Sequence, residues 1–526
     1  GEQQGRAYYF YGSDAVLLAD LTREAGMQTL FERLPQHSSM SCAAQYDERA
    51  QFGIDAMLNL GLGEALRDLG ERLCAAELER RAENELELRE LRDELLSRRE
   101  QLATPPPWYR FFQRFAWAQE RELASRWIHD IARLEQRTLP ELLVAYVPWP
   151  DHFAHFTGPF ADEILAPSGE LNRLDYWLGR WSRAYAKGGV LSRTVFGMAG
   201  DHGLTPVFHL LNPEVEIFDA LRDEGVDFRV EKISSDEGEG PKLTNPFKPP
   251  SMKGIDVVVA STAGGNYMLD LFVDQEEDFA RQPLARELRS VRPLRAPDAE
   301  PIDLLGEIVG RLADSLDYLA VREGPCTPQG GAVRIMGHRD GRLAQALVRR
   351  VGDRVHLEIL GADLLETDRE TPFETLTALQ RRDHETLRRR CLDADVAAPE
   401  SWCREAEWTR LASYTPRPDS VVQIAHLYDT DRAGTVNLFP RAGVGYNSVV
   451  PGRHAGESFH EKDAFVAIWG APLAPRAEAG ALRSASNGAM PLAIYEYLSG
   501  EGPERGRDGW GFDPLPADWL PPAPEP

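Results

Sequence analysis

Cysteine is scarce in this chain: Cys42, Cys74, Cys326, Cys391 and Cys403 are the five in 526 residues. They are odd in number and widely spread, and none forms a Cys-x-x-Cys pair, so neither a cysteine zinc site nor a dense disulfide framework is indicated. Cys391 and Cys403 are close enough in sequence to pair, but buried free thiols are the simpler expectation for them. Long apolar runs are also missing, and no stretch approaches the ~20 residues of a membrane helix. Positive charge is short: 59 Lys and Arg stand against 84 Asp and Glu, a formal net charge of -25. That argues against a nucleic-acid-binding surface, which would need a basic face. It leaves room for a phosphorylated small molecule, because a bound cation inverts the local potential. The glycine-rich turn Thr262 to Asn266 lacks the Gly-Lys-Ser of a phosphate loop and reads as a hairpin turn instead. No signal peptide is visible, and the compartment and oligomeric state stay open.

What the chain does have is centred on Tyr146 to Pro159, YVPWPDHFAHFTGP. A short apolar run, Leu142 to Ala145, predicts a buried strand, and Pro148 and Pro150 end it. Asp151 and His155 follow at a spacing of four, which sets a carboxylate and an imidazole on one side of a single helical turn. Gly158-Pro159 then turns the chain away. A second apolar run, Thr194 to Ala199, leads through Gly200 into Asp201-His202-Gly203. A third cluster, His454 in GRHAGES, precedes the strand-like run from Ala464 to Pro472. Three runs, each beside an Asp or His pair or a single His, predict a metal site at the carboxyl ends of strands.

The order P-D-x-x-x-H-x-x-G-P, then D-H-G, then a late His before a strand ending in Gly-x-Pro resembles the alkaline phosphatase superfamily. The nearest resemblance is to its type I phosphodiesterase/nucleotide pyrophosphatase branch, over about 138–207 and 420–473. The resemblance implies an α/β fold: an alkaline-phosphatase-like core with a mostly parallel sheet flanked by helices, plus a helical insertion and an α+β subdomain. It implies two zinc ions, one held by Asp151, His155 and His454, the other by Asp201 and His202. His454 is followed by Ala455 where the family usually has glycine, which leaves His460 as a competing ligand.

The implied activity is phosphoric ester hydrolysis by in-line phosphoryl transfer on a small phosphorylated or phosphodiester substrate. The family also places an Asp at the end of its first strand and a Thr or Ser nucleophile at a helix start, both ahead of Asp151. Neither is found. Ala7 to Tyr11 with Asp14 imitates the strand and its Asp, and Ser38 and Ser39 are the nearby hydroxyls. The chain therefore reads as an incomplete, inactive form of a phosphodiesterase. A non-catalytic metal-binding protein, or another hydrolase of the superfamily, is the alternative. A sulfatase's Cys-x-Pro-x-Arg is absent. Trp149 and His152 flank the metal loop, and contact with substrate is open to both.

Around this core the chain divides into segments. Residues 1–75 read as a remnant of the α/β core, and 76–137 as a helical hairpin. In that hairpin one long amphipathic helix, Ala76 to Leu102, is followed after three prolines by an aromatic helix from Trp108. Residues 138–225 are the metal-binding core, in which the helix Leu171 to Ala186 makes a βαβ unit with the strands on either side. Residues 226–419 form an α+β subdomain, 420–498 return to the core with the third ligand, and 499–526 are a Pro/Gly-rich tail. His338, His356, His384 and His426 stand alone, and structural roles are expected for them.

Overall fold

The structure, a computed structural model, describes residues 23, 26–44, 49–54, 68–82, 86–107, 111–132, 139–232, 254–262, 264–273, 281–430, 433–446, 451–473, 485–502 and 515. Ala7 to Asp14, Trp108, Tyr109 and most of the C-terminal tail lie outside them.

The expected mostly parallel sheet is corrected. The largest sheet has nine strands, and all but one of its pairings are antiparallel. Its order across the sheet is Cys403–Arg404, Arg354–Leu360, Arg342–Val351, Gly330–Arg339, Leu316–Arg322, Val436–Pro440, Asn266–Leu271, Val257–Thr262 and Val230–Lys232. Short turns explain the antiparallel pairing: Asp340-Gly341 and Gly352-Asp353 reverse the chain within two residues, with positive φ at Asp340, Gly341 and Gly352. The strand Leu316–Arg322 is buried along its whole length. Successive side chains face opposite sides, so Leu319 and Val321 enter one core while Tyr318 and Ala320 enter the other. Its polar Asp317 is buried between the guanidiniums of Arg339, 2.6 Å away, and Arg417.

Apart from the edge pair Val230–Lys232 and Val257–Thr262, parallel pairing belongs to smaller units. Phe52–Ile54, Ser39–Cys42 and Leu142–Ala145 form a three-stranded parallel sheet, with Ser39 opposite Leu142 and Cys42 opposite Ala145. Helices Leu69–Arg81 and Glu170–Lys187 pack against it through Leu73, Cys74, Trp177 and Trp181. The expected βαβ unit is also corrected. Phe196–Ala199 pairs antiparallel with Val466–Trp469 in a sheet of its own and not with Leu142–Ala145. Gly188 and Gly189 do end the intervening helix, with Gly189 at φ +75° bonding back to Ala186.

The single long helix expected over Ala76 to Leu102 is two helices, Leu69–Arg81 and Leu86–Gln101. Arg72 and Glu94 form an ion pair at 2.9 Å, which 22 positions of continuous helix would hold ~33 Å apart. The chain therefore folds back between them. The second helix then lies along the aromatic helix Phe111–Ala132, fixed by the Arg98–Glu120 pair and by the Trp117 indole N–H donating to Leu102 O at 2.8 Å. The expectation of free thiols fails as well. Cys42 is bonded to Cys74, tying the helix Leu69–Arg81 to the strand it covers, and Cys391 is bonded to Cys403. Cys326 is free. No described helix is long and apolar enough to cross a membrane.

Candidate metal centre

The helix Trp149–Thr157 begins where the strand Leu142–Ala145 has run out, with Pro148 at its N-cap and Pro150 in its first turn. Proline suits that position because the first helical N–H groups have no partner in the helix. Asp151 falls in the first turn and His155 in the last, each at the end where the helix dipole favours its charge. One turn apart, they meet: His155 Nε2 lies 3.4 Å from Asp151 Oδ1.

Two other segments close on the same oxygen. His454 Nε2 is 3.8 Å and His202 Nε2 4.0 Å from Asp151 Oδ1. The donor atoms of Asp151, His155 and His454 all lie within 4.8 Å of one another. His202 and His454 stack with ring centroids 3.7 Å apart, and His155 meets His454 edge-on at 4.9 Å. Asp151 Oδ1 is buried and accepts no well-formed hydrogen bond. Burial works against its carboxylate, yet the imidazoles of His155, His454 and His202 hold its pKa below the usual range. Asp201 stands at the edge: its side chain is 68% exposed, with Oδ2 3.7 Å from His202 Nε2.

Tautomers are fixed from behind. His155 Nδ1 sits 3.0 Å from Gly452 O, and His202 Nδ1 sits 3.1 Å from Gly203 O. A carbonyl accepts only, so each ring carries its proton on Nδ1 and turns the Nε2 lone pair toward Asp151.

Backbone contact holds the three segments this close. Gly452 and Arg453 pair antiparallel with Pro206 and Thr205, which brings His454 alongside the strand leaving His202. A Cβ on Gly452 would overlap Ala154 O and stand 3.2 Å from His155 Cα. A Cβ on Gly265 would overlap His454 O, and one on Gly203 would overlap His460 O. Three glycines thus mark the crossings where these loops touch. Ala455 takes the left-handed conformation, φ +66°, at the position after His454.

Several residues that hold the centre carry no signal in the sequence. Arg453 is fully buried and reaches Glu461 at 3.2 Å, while Glu461 accepts from Gly456 and Ser458 N–H and so braces the His454 loop. The Asn487 side chain donates to Gly200 O at 3.0 Å and Asp201 O at 3.2 Å. Tyr146, at the exit of the strand, has its phenol pushed up to about 12 by burial and by the Asp201 and Asp151 carboxylates, and stays neutral. None of these belongs to a recognisable motif, and only the folded chain brings them to the site.

The remaining sequence candidates fall elsewhere. His460 packs its ring against Phe373 at 4.8 Å and Phe160 at 6.2 Å, outside the cluster. Trp149 lies beside the buried Glu71, and His152 sits among Trp149, Phe153 and Phe156. Ser38 and Ser39 lie at the start of their strand, against Glu141 and Leu142, while the cluster follows the other end, ~10 Å further along. His356 and His384 bond to Ala394 O and Thr367 O, and His426 lies 2.7 Å from both Glu405 and Asp429. An open cleft of about 1380 Å³ leads from Asp201 and His202 toward the helices around Glu405 and Asp419.

Residues 78–301 match the family described as type I phosphodiesterase / nucleotide pyrophosphatase. This segment is similar to that family, a branch of the alkaline phosphatase superfamily. The matched stretch contains Asp151, His155, Asp201 and His202, and His454 lies beyond it. No curated protein and no solved structure matches the chain. A hydrolase of phosphodiester substrates is the activity the family suggests, and members are typically metal-dependent.

Proposed function

We propose that this protein is a zinc-dependent phosphodiesterase that acts by in-line displacement at phosphorus. Asp151, His155 and His454 would hold one ion, and Asp201 with His202 a second. The observation that carries the reading is the convergence of three Nε2 atoms on the buried Asp151 Oδ1. One carboxylate and two imidazoles, with His155 turned lone pair inward, are the ligand set of an open zinc site. For the second ion the described residues offer two donors, so no step is assigned to it. A bound ion of this kind supplies Lewis acidity toward a phosphoryl oxygen and lowers the pKa of water.

The protein's own residues do the positioning. Gly452 O and Gly203 O keep the histidines in the ligating tautomer. Tyr146 keeps a neutral hydroxyl close to both carboxylates, able to donate to an anionic substrate. The cleft beside Asp201 and His202 admits the ester arms.

A non-catalytic metal-binding protein is the second reading, favoured by the distance of Ser38 and Ser39 from the cluster. Elemental analysis and hydrolysis of bis-(p-nitrophenyl) phosphate beside the monoester separate the two. Zinc retention with diester hydrolysis, both lost in His155→Ala, supports the phosphodiesterase. Zinc without hydrolysis of either ester supports the second reading, and no zinc above background refutes both.

A further inference from the structure

The helix Ala489–Ser499 begins just after Asn487-Gly488, and this dipeptide touches the loop that carries Asp201 and His202. Met490 seats the helix start on the strand Phe196–Ala199, where a Cβ on Gly197 would overlap its Sδ. The Asn487 amide is gripped from both sides. Its NH2 donates to Gly200 O at 3.0 Å and to Asp201 O at 3.2 Å, and its Oδ1 accepts from Gly488 N–H at 2.9 Å. Carbonyls only accept and a backbone N–H only donates, so these partners fix which way the amide faces. The same loop is tied on its other side by backbone bonds, Gly200 N–H to Phe465 O at 3.0 Å and Gly203 N–H to Glu461 O at 2.9 Å.

An aspartate does not fit this place. Both of its side-chain oxygens accept. With one still facing Gly488 N–H, the other would be set against two carbonyl oxygens, at the 3.0 and 3.2 Å now spanned by hydrogen bonds, and would put a second negative charge beside Asp201.

The dipeptide itself supplies that change. Glycine after asparagine has no Cβ to obstruct attack of its own nitrogen on the side-chain amide. The Gly488 nitrogen gives up its proton and bonds to Asn487 Cγ. The Cγ–Nδ2 bond breaks, and Nδ2 takes the proton and leaves as ammonia. Water then opens the five-membered imide to aspartate or isoaspartate, with no oxidation or reduction. Asn487 lines the open cleft, where water is at hand. Ring closure requires the turn between Ser486 O and Ala489 N–H, bonded at 2.9 Å, to open, and the ends of helices are where opening costs least.

We propose that Asn487-Gly488 is a modification site, at which deamidation by water alone releases the Asp201-His202 loop and so weakens the candidate metal centre irreversibly. The modification and the release stand on the chain's own chemistry; the effect on an ion rests on the zinc reading.

The test ages the parent chain and Gly488→Ala side by side in mildly alkaline buffer, with fresh Asn487→Asp for comparison. Gly488 has φ −63°, which alanine adopts freely. Peptides spanning residue 487 are weighed for conversion of amide to acid, which should run about tenfold faster or more in the parent than in Gly488→Ala. Release of the loop is read by hydrogen exchange at the Gly200 and Gly203 amides, which needs neither metal nor turnover. Exchange there should be about tenfold faster or more in the aged parent and in Asn487→Asp than in fresh parent, with the large sheet unchanged and with aged Gly488→Ala still slow. Should Asn487→Asp fail to fold, the two aged chains make the same comparison. Zinc affinity by chelator competition should fall by about tenfold or more in the chains whose loop is released. Faster exchange with no zinc in the fresh parent removes the zinc reading and leaves the modification site standing. Equal conversion in parent and Gly488→Ala, or exchange in the converted parent as slow as before ageing, overturns the proposal, and unchanged zinc affinity in a released loop overturns its link to the metal centre.

Discussion

Gly452→Ala is the sharpest test of how the metal cluster is assembled. The glycine's backbone is not in the left-handed region, so alanine meets no local conformational penalty. The penalty is contact. The new Cβ would overlap Ala154 O, stand 2.9 Å from Ala154 C and 3.2 Å from His155 Cα. Ordinary carbon–carbon contact is about 3.5 Å, and the obstacle is backbone of the helix that carries Asp151 and His155, so one segment must retreat by on the order of 1 Å. Gly452 O is also the acceptor that fixes the His155 tautomer, and His454 is two residues on. The shift therefore moves His155 and His454 apart and removes the brace on His155 together. Ligand distances in a zinc site tolerate only about 0.2 Å. Loss of a buttressing hydrogen bond by itself costs about 10–100-fold in metal affinity. At least 100-fold weaker zinc binding is expected, measured by competition with a chromophoric chelator, with circular dichroism checking that the variant folds. Zinc affinity within threefold of the parent in a folded variant would show that this crossing does not set the cluster.

Other expectations follow from the same geometry. His454→Ala should weaken zinc binding strongly, whereas His460→Ala, whose ring lies against Phe373, should stay within about tenfold of the parent; the same chelator competition decides, and the reverse order would make His460 the ligand. Ala455→Gly should be neutral or stabilising by up to about 1 kcal/mol, because it removes a left-handed alanine at the cost of a looser unfolded chain; a loss above 1 kcal/mol in urea unfolding would refute this. Burial pushes Glu71 up to about 7 from 4.5, with the neighbouring Trp149 opposing. The folded state then binds more protons than the unfolded between those values, so stability falls as pH rises from about 4.5 to 7. Glu71→Gln should flatten that slope, raising stability at pH 8 by on the order of 3 kcal/mol relative to the parent's change, with little effect at pH 4.5. An unchanged slope of melting temperature against pH would refute it.

The sequence determined the local units of the site. Pro148 and Pro150 stop a strand and start a helix whatever lies around them, and a spacing of four brings Asp151 to His155 within one turn. The hairpin turns at Gly341 and Gly352 are likewise written in two or three residues. These are short-range constraints on φ, ψ and side-chain direction, which the chain obeys without distant partners. What needed the tertiary structure is whatever depends on distant partners. An apolar run says that a strand is buried but not beside which strand, so the expected parallel sheet became an antiparallel one, and Phe196–Ala199 found Val466–Trp469. Amphipathic periodicity carries through a fold-back, so Arg72 and Glu94 were needed to reveal two helices in place of one. Cys42 and Cys74 are 32 positions apart, and only the packing of a helix on its strand brings their sulfurs together. At the candidate metal centre, the placement of His454 beside Asp151, with His460 outside the cluster, depends on Gly452, Gly203 and Gly265, where absent side chains let three loops touch. Residue type and spacing specify each ligand's own turn, but the distance between turns is set by backbone packing across hundreds of positions, which local sequence does not encode.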